Sequence, residues 1–318
     1  MNVLVTGGAG FIGSNVVESL LNRKDKVVCI DNLNDYYSPE IKEKNLAQFR
    51  NNSNFKFYKE DIININELKK IFSVEKFDKV IHLAARAGVR PSLVQPNLYV
   101  DTNINGTLNI LELSKEFNIK NFIFASSSSV YGNSNKVPLS EEDCVDFPIS
   151  PYAATKKSCE LLCYTYSHLY NLKITCLRFF TVYGPRGRPD MAPMKFTTLI
   201  DKNQPIELYG DGTSSRDYTY VSDIVQGVIA ALDNDLKFEI INLGNSYPVK
   251  LNYLINLIEK NLGKKAKIIK KGRQQGDVEH TCADISKAKR LLNYNPSVVF
   301  REGIKEFIAW YKDYNNIT

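Results

Sequence analysis

Tyr152 and Lys156 stand four residues apart in Ser150-Pro151-Tyr152-Ala153-Ala154-Thr155-Lys156, a spacing that puts both side chains on one face of a helix. A phenol is a poor base at neutral pH, and an ammonium one turn away favours its phenolate. Such a pair can take a proton from a sugar hydroxyl while a hydride leaves the same carbon. Tyrosine and lysine share helix faces by chance in many proteins, so the pair gains meaning from what precedes it. About 25 residues before Tyr152, the apolar run Asn121–Ala125 leads into Ser126-Ser127-Ser128-Ser129-Val130-Tyr131-Gly132. In isolation four serines read as a flexible loop. At the carboxyl end of a central strand they are placed to meet substrate, and a hydroxyl from Ser127 or Ser128 can share the proton with Tyr152.

The elements that must position this chemistry begin at the N-terminus. A short apolar strand, Asn2–Thr6, runs into Gly7-Gly8-Ala9-Gly10-Phe11-Ile12-Gly13 and a helical pattern to about Arg23. Gly7 and Gly10 permit a tight turn close to a pyrophosphate, and Gly13 lets the helix pack on the strand. The helix N-terminus then offers free N–H groups and a favourable dipole to the anion. A second strand, Lys26–Ile30, ends in Asp31, eighteen residues past Gly13. A carboxylate there holds both adenosine ribose hydroxyls and repels a 2′-phosphate, which favours NAD over NADP. The bland alternative is a glycine-rich turn beside an exposed aspartate; strand, helix and acid together argue against it.

The alternation of strand and helix continues through Phe55–Tyr58, Lys79–Leu83, a long amphipathic helix over Pro96–Phe117, Asn121–Ala125, the helix Tyr152–Tyr170 and the strand Lys173–Arg178. This order predicts an α/β fold, a Rossmann-like doubly wound parallel sheet with ligands at the carboxyl ends of its strands. Asp61 or its neighbour Ile62 would meet the adenine, and the small residues after Leu83 leave room for ribose and phosphate. The candidate cofactor-binding residues are Gly7, Gly10, Phe11, Ile12, Gly13, Asp31, Asn32, Asp61, Ile62, Leu83, Ala84, Ala85, Asn103, Ser126, Tyr152, Lys156 and Phe179. Pro185, Pro189 and Pro193 interrupt the alternation and open a smaller lobe. The expected division is a dinucleotide domain over 1–180, joined by about 221–245, and a discontinuous substrate lobe over 181–318. Ser222–Leu232 reads as a helix with Ser222 as its N-cap, and Glu239–Asn242 as a strand that rejoins the main sheet. From Leu251 the pattern is helix, strand, helix and a final amphipathic helix over Arg301–Asn315.

Composition sets the outer bounds. The chain has 318 residues, 43% hydrophobic and 24% charged, with a net charge of +6, as in an ordinary globular protein. Much of the excess sits in Lys264–Arg273. No aromatic residue interleaves that run, so it reads as a solvated edge and not as a nucleic-acid patch. Cys29, Cys144, Cys159, Cys163, Cys176 and Cys282 have neither zinc-knuckle nor redox spacing and read as reduced, small apolar residues of a cytoplasmic protein. No metal site is expected. His82 reads as a packed strand end. Neither a signal peptide nor an apolar run of membrane-spanning length is expected.

Taken together, Gly-Gly-Ala-Gly-Phe-Ile-Gly, His82-Leu83-Ala84-Ala85, Ser-Ser-Val-Tyr-Gly, Tyr152 with Lys156, and Arg216-Asp217-Tyr218 span residues 7 to 218 in order. In this the chain resembles the extended short-chain dehydrogenase/reductases, and among them the NAD-dependent nucleotide-sugar epimerases. Asp35-Tyr36-Tyr37, Ala87-Gly88-Val89-Arg90 and Arg178-Phe179-Phe180-Thr181-Val182-Tyr183-Gly184-Pro185, with Gly187-Arg188-Pro189-Asp190-Met191-Ala192, make it most similar to the UDP-glucuronate 4-epimerases. The resemblance implies that Tyr152 removes the 4-hydroxyl proton while NAD takes the C4 hydride. The 4-keto sugar then turns over and is reduced on its other face. It also implies that Lys156 holds the nicotinamide ribose, that Thr181 and Arg188 face a substrate carboxylate, that Arg216 binds the diphosphate and that Tyr209 stacks near the uracil. Ser127, Ser128 and Asp277 complete the substrate set. A homodimer joined through the helices Pro96–Phe117 and Tyr152–Tyr170 follows from the same resemblance, and Leu161, Leu162, Tyr164, Tyr166 and Leu169 make the second helix apolar on more than one face.

Two positions depart from the pattern. Gln274 stands where many relatives carry an arginine, with Arg273 one step earlier, and Arg86 replaces a neutral residue after His-Leu-Ala-Ala. Neighbouring activities are weighed by what is missing. Sugar 4,6-dehydratases carry Asp-Glu where Ser128-Ser129 stand, and UDP-glucuronate decarboxylases carry a glutamate at Ser129. Elimination across C5–C6 needs an added acid and base, which serines do not supply. Four-epimerisation of UDP-glucose or UDP-N-acetylglucosamine is the alternative activity. A catalytically silent NAD-binding protein need not keep serine, tyrosine and lysine together.

Overall fold

The computed structural model describes residues 1–134, 136–272, 278 and 280–317. Twelve strands are present among them: β1 Asn2–Thr6, β2 Lys26–Asp31, β3 Phe55–Lys59, β4 Lys79–His82, β5 Asn121–Ser127, β6 Ile174–Phe179, β7 Thr181–Tyr183, β8 Pro205–Tyr209, β9 Ser215–Tyr220, β10 Phe238–Leu243, β11 Pro248–Lys250 and β12 Lys267–Lys271. Seven form one parallel sheet in the order β10-β6-β5-β4-β1-β2-β3. The strand order reverses at β1, which lies between β2 and β4, and a crevice opens there at the carboxyl ends of an open α/β sheet.

Period-two alternation along the central strands feeds two separate cores. Val3 and Val5 of β1 face one side of the sheet, where helices Phe11–Asn22 and Val221–Asp233 contribute Val16, Leu20, Ile224 and Val228. Leu4 faces the other side, with Phe72, Ile110, Leu111, Cys159 and Cys163. Both faces of the sheet are thus covered by helices. A third core, around Tyr183, Phe196, Leu208, Leu254, Ile258 and Phe307, belongs to the smaller lobe. Its strands form two small sheets, β11-β9-β7 and β12-β8.

Two local readings change. The helix expected over Pro96–Phe117 is built as Pro96–Tyr99, a wider π-type turn over Val100–Asn105, and Gly106–Glu116. Ser222 is no N-cap: the helix starts at Val221 with Tyr220 before it, so Ser222 lies within the first turn. The apolar breadth of the helix Pro151–Tyr170 divides by face. Cys159, Cys163 and Tyr166 cover the sheet, whereas Leu161, Tyr164 and Leu169 are exposed at 55%, 54% and 59%. The cysteines are free thiols, all buried except Cys144.

Candidate active site

A cavity of about 380 Å³ lies along the carboxyl ends of β1, β2, β4 and β5 and is closed on the far side by the start of the small lobe. Gly7, Gly10, Phe11, Ile12 and Gly13 line one wall. Gly7 has φ +71°, and a Cβ on Gly13 would stand 2.1 Å from the Gly7 carbonyl oxygen. Only glycine allows the loop to close this far onto the helix. No side chain caps the helix at Gly10, so its first-turn N–H groups remain available to an anion.

Asp31 lies at the end of β2 on the same cavity, accepting from the Leu33 N–H at 2.9 Å and the Ala9 N–H at 3.2 Å. Burial pushes its carboxyl up, opposed by those two N–H groups and by Lys42. Asn32 donates to Asp61 at 2.6 Å, and both line the cavity with Ile62. These residues suit a dinucleotide: a glycine cradle and helix terminus for the diphosphate, and an acid for the adenosine ribose.

The helix Pro151–Tyr170 is opened by Ser150, whose hydroxyl accepts from the Ala153 N–H at 3.1 Å, with Pro151 in the first turn. Tyr152 and Lys156 both reach the cavity from this helix. Lys156 is buried, and its Nζ donates to the Ala125 carbonyl at 2.7 Å, beside the serine run. Tyr99 stands edge-on to Tyr152 with ring centroids 6.2 Å apart and donates to the Ala87 carbonyl at 2.6 Å. All four serines line the cavity: Ser126 and Ser127 end β5, and Ser128 and Ser129 begin a short 3₁₀ turn. The Ser127 hydroxyl accepts from the Ser129 N–H at 3.2 Å. The Ser126 hydroxyl is engaged with Glu160, to which it donates at 2.6 Å.

Leu83, Ala84, Ala85, Phe179, Thr181 and Arg188 also line the cavity. Arg188 donates from Nε and Nη2 to Asp190 at 3.0 and 2.5 Å and lies over the Tyr36 ring at 5.5 Å. Three predicted residues fall elsewhere. Asn103 is a buried brace behind the wall, donating to the Arg86 carbonyl and the Thr155 hydroxyl, both at 3.0 Å, and accepting from the Arg86 N–H at 2.7 Å. Those bonds fix the Arg86 backbone; nothing in the structure explains the arginine side chain there. Tyr209 lies outside the cavity under the Arg90 guanidinium at 5.1 Å, with its hydroxyl on Glu207. Arg216 lies outside it as well and donates to the Ser215 carbonyl at 3.0 Å. Asp277, Arg273 and Gln274 lie outside the described residues. His82 is the packed strand end expected of it, held between Thr6 and Thr107.

Lys42, Tyr36 and Tyr37 also line the cavity, although none of the three is among the expected site residues. Lys42 lines the cavity near Asp31, its Nζ donating to the Asn34 carbonyl at 2.7 Å and lying over the Tyr37 ring at 4.8 Å. Tyr36 donates to Asp190 at 3.1 Å, so it reaches from the β2 side of the cavity to the small lobe. The pair Tyr36-Tyr37 is a visible signal in the sequence; Lys42 is an ordinary helix lysine there.

A family model for GDP-mannose 4,6 dehydratase matches residues 4–307. The chain belongs to that family. It is 50% identical to a UDP-glucuronate 4-epimerase of Thermodesulfobacterium geofontis over 98% of this chain and 96% of that protein. Its fold matches the crystal structure of a Bacillus cereus UDP-glucuronic acid 4-epimerase in complex with UDP-glucuronic acid and NAD, with a TM-score of 0.93, 39% identity, and coverage of 99% and 100%. A Thermotoga maritima UDP-glucose 4-epimerase with UDP-glucose follows at TM-score 0.91 and 35% identity, covering 99% of this chain and 100% of that one. The family membership and the Rossmann-like architecture agree with the resemblance read from the motifs.

Proposed function

We propose that this protein is an NAD-dependent UDP-sugar 4-epimerase that interconverts UDP-glucuronate and UDP-galacturonate. The observation that carries the reading is the meeting of Tyr152, Lys156 and the serine run with the Gly7–Gly13 cradle on one cavity. Gly7, Gly10, Gly13 and Asp31 hold the cofactor; when bound, NAD accepts the C4 hydride and returns it to the opposite face. Tyr152 takes the 4-hydroxyl proton and later restores it. Lys156 has one of its three N–H bonds on Ala125 and keeps the others for the nicotinamide ribose. Ser127 shares the proton, and the small lobe, residues 181–220 and 246–317, holds the UDP-sugar.

Among the described residues the acids lining the cavity are Asp31, Glu60 and Asp61, at the β2–β3 end. The serine run contributes no carboxylate near C5, which argues against dehydration and decarboxylation despite the description of the family model. Thr181 and Arg188 support a uronate substrate, because a guanidinium offers a carboxylate two parallel hydrogen bonds. One observation favours a neutral UDP-hexose instead: Asp190 already neutralises Arg188. Turnover of UDP-glucuronate against UDP-glucose by the purified protein decides between them. Preference for UDP-glucose would discard the uronate and keep the mechanism, while Tyr152→Phe should abolish either turnover and leave NAD bound.

The exposed Leu161, Tyr164 and Leu169 on the helix Pro151–Tyr170 support a homodimer joined through this helix and the one before it. Buried thiols fit a cytoplasmic setting. Among the described residues no helix is long and apolar enough to cross a membrane.

A further inference from the structure

Glu160 and Arg178 form an ion pair that the mechanism above does not use, each with its side chain only 1% exposed. Arg178 Nε and Nη2 donate to the two Glu160 oxygens at 2.8 and 2.9 Å, and Ser126 donates to the same carboxylate at 2.6 Å. Three elements meet at this carboxylate. Glu160 belongs to the helix that carries Tyr152 and Lys156, one turn apart each. Ser126 and Ser127 are the last two residues of β5, and Arg178 and Phe179 are the last two of β6, with Thr181 opening β7. Lys156 adds a parallel tie one turn earlier, to the Ala125 carbonyl. Arg178 Nη1 has no hydrogen-bond partner among the described residues, and the guanidinium lies over the Tyr131 ring at 4.8 Å.

A buried ion pair is weak support for stability, because the desolvation of both charges offsets their attraction, and apolar residues of similar volume often serve as well. Its geometry is another matter: a planar fork on a carboxylate fixes distance and direction. We infer that Glu160 is a positioning residue, the joint that sets the catalytic helix against the two strand ends so that Tyr152 faces Ser127. This inference rests on the epimerase reading. It concerns turnover, since neither Glu160 nor Arg178 lines the cavity and neither is placed to bind substrate or cofactor.

Glu160→Leu/Arg178→Met replaces the pair with apolar side chains and leaves no orphaned charge. The expected result is a melting temperature close to the parent's, with NAD content and KM for the UDP-sugar held within about twofold. kcat should fall roughly 100-fold, the scale of a misplaced catalytic group. Ser126→Ala removes one bond of the joint and should lower kcat about fivefold at unchanged KM and NAD affinity. A double variant that folds, binds NAD and turns over at the parental rate overturns the inference. Should the double variant not fold, a parental kcat in Ser126→Ala overturns it. Failure of the parent to epimerise any UDP-sugar would instead remove the epimerase reading, a result these variants do not mimic.

Discussion

Arg188 meets Asp190 through two parallel hydrogen bonds, Nε to Oδ1 at 3.0 Å and Nη2 to Oδ2 at 2.5 Å. The bonds occupy one edge of the guanidinium and leave Nη1 for a second acceptor, while the side chain, 19% exposed, lines the cavity. A 4-keto uronate is a β-keto acid that loses carbon dioxide once its carboxylate bond aligns with the carbonyl π-system, so an epimerase must hold the carboxylate out of that alignment. Arg188→Ala should weaken UDP-glucuronate binding by about 1.5–3 kcal/mol, roughly 10- to 150-fold. It should also raise the fraction of UDP-pentose product, with NAD binding unchanged. Mass analysis of the products checks this; a clean epimer at normal affinity would leave Arg188 as the partner of Asp190 only.

Asp31 offers a test of cofactor choice. Its carboxylate lies at the β2 end of the cavity with Lys42 nearby. Asp31→Asn removes the charge that binds the ribose hydroxyls and repels a 2′-phosphate, while Lys42 stays. NAD affinity should fall roughly 10- to 100-fold, the worth of a charged hydrogen bond, and NADP should gain relative to NAD. Titration of both cofactors reads the ratio, and an unchanged ratio would refute the assignment.

His82 sets an acid limit. It lies 2.7 Å from the Thr6 hydroxyl and 2.9 Å from that of Thr107, and burial, with Lys156 nearby, pushes its pKa down to about 3. The unfolded chain takes up this proton near pH 6.5 and the folded one does not, so stability is complete above about 6.5 and declines as pH falls toward 3. Between pH 6.5 and 5 the loss from this group is about 2 kcal/mol. His82→Gln should flatten that part of the profile. Urea melts of parent and variant at several pH values isolate the difference, and equal slopes would exclude His82 as its source.

Leu161 and Leu169 test the interface. Leu161→Asp with Leu169→Asp places charges on the exposed face of the helix and leaves its buried face alone. Sedimentation should show a dimer for the parent and a monomer for the variant at micromolar concentration. A monomeric parent would end the dimer proposal.

Local and periodic features are legible in the order of residues alone. Alternating strand and helix specify a parallel sheet, because parallel strands need crossovers. Gly7, Gly10 and Gly13 announce a phosphate turn, and the Tyr152–Lys156 spacing places two groups on one helix face at any tertiary arrangement. The tertiary structure was needed for contacts between segments distant in the chain. It turned Ser126 onto Glu160, used Asn103 as a brace, set Tyr209 and Arg216 outside the cavity and brought in Lys42. The physical reason is range. Backbone geometry fixes which residues share a face within a few turns, whereas the partner of a buried polar group is set by whichever donor or acceptor the packing brings within about 3 Å. Glu160 shows the difference: in the sequence it is one more helix glutamate, and in the fold it joins one helix and two strands.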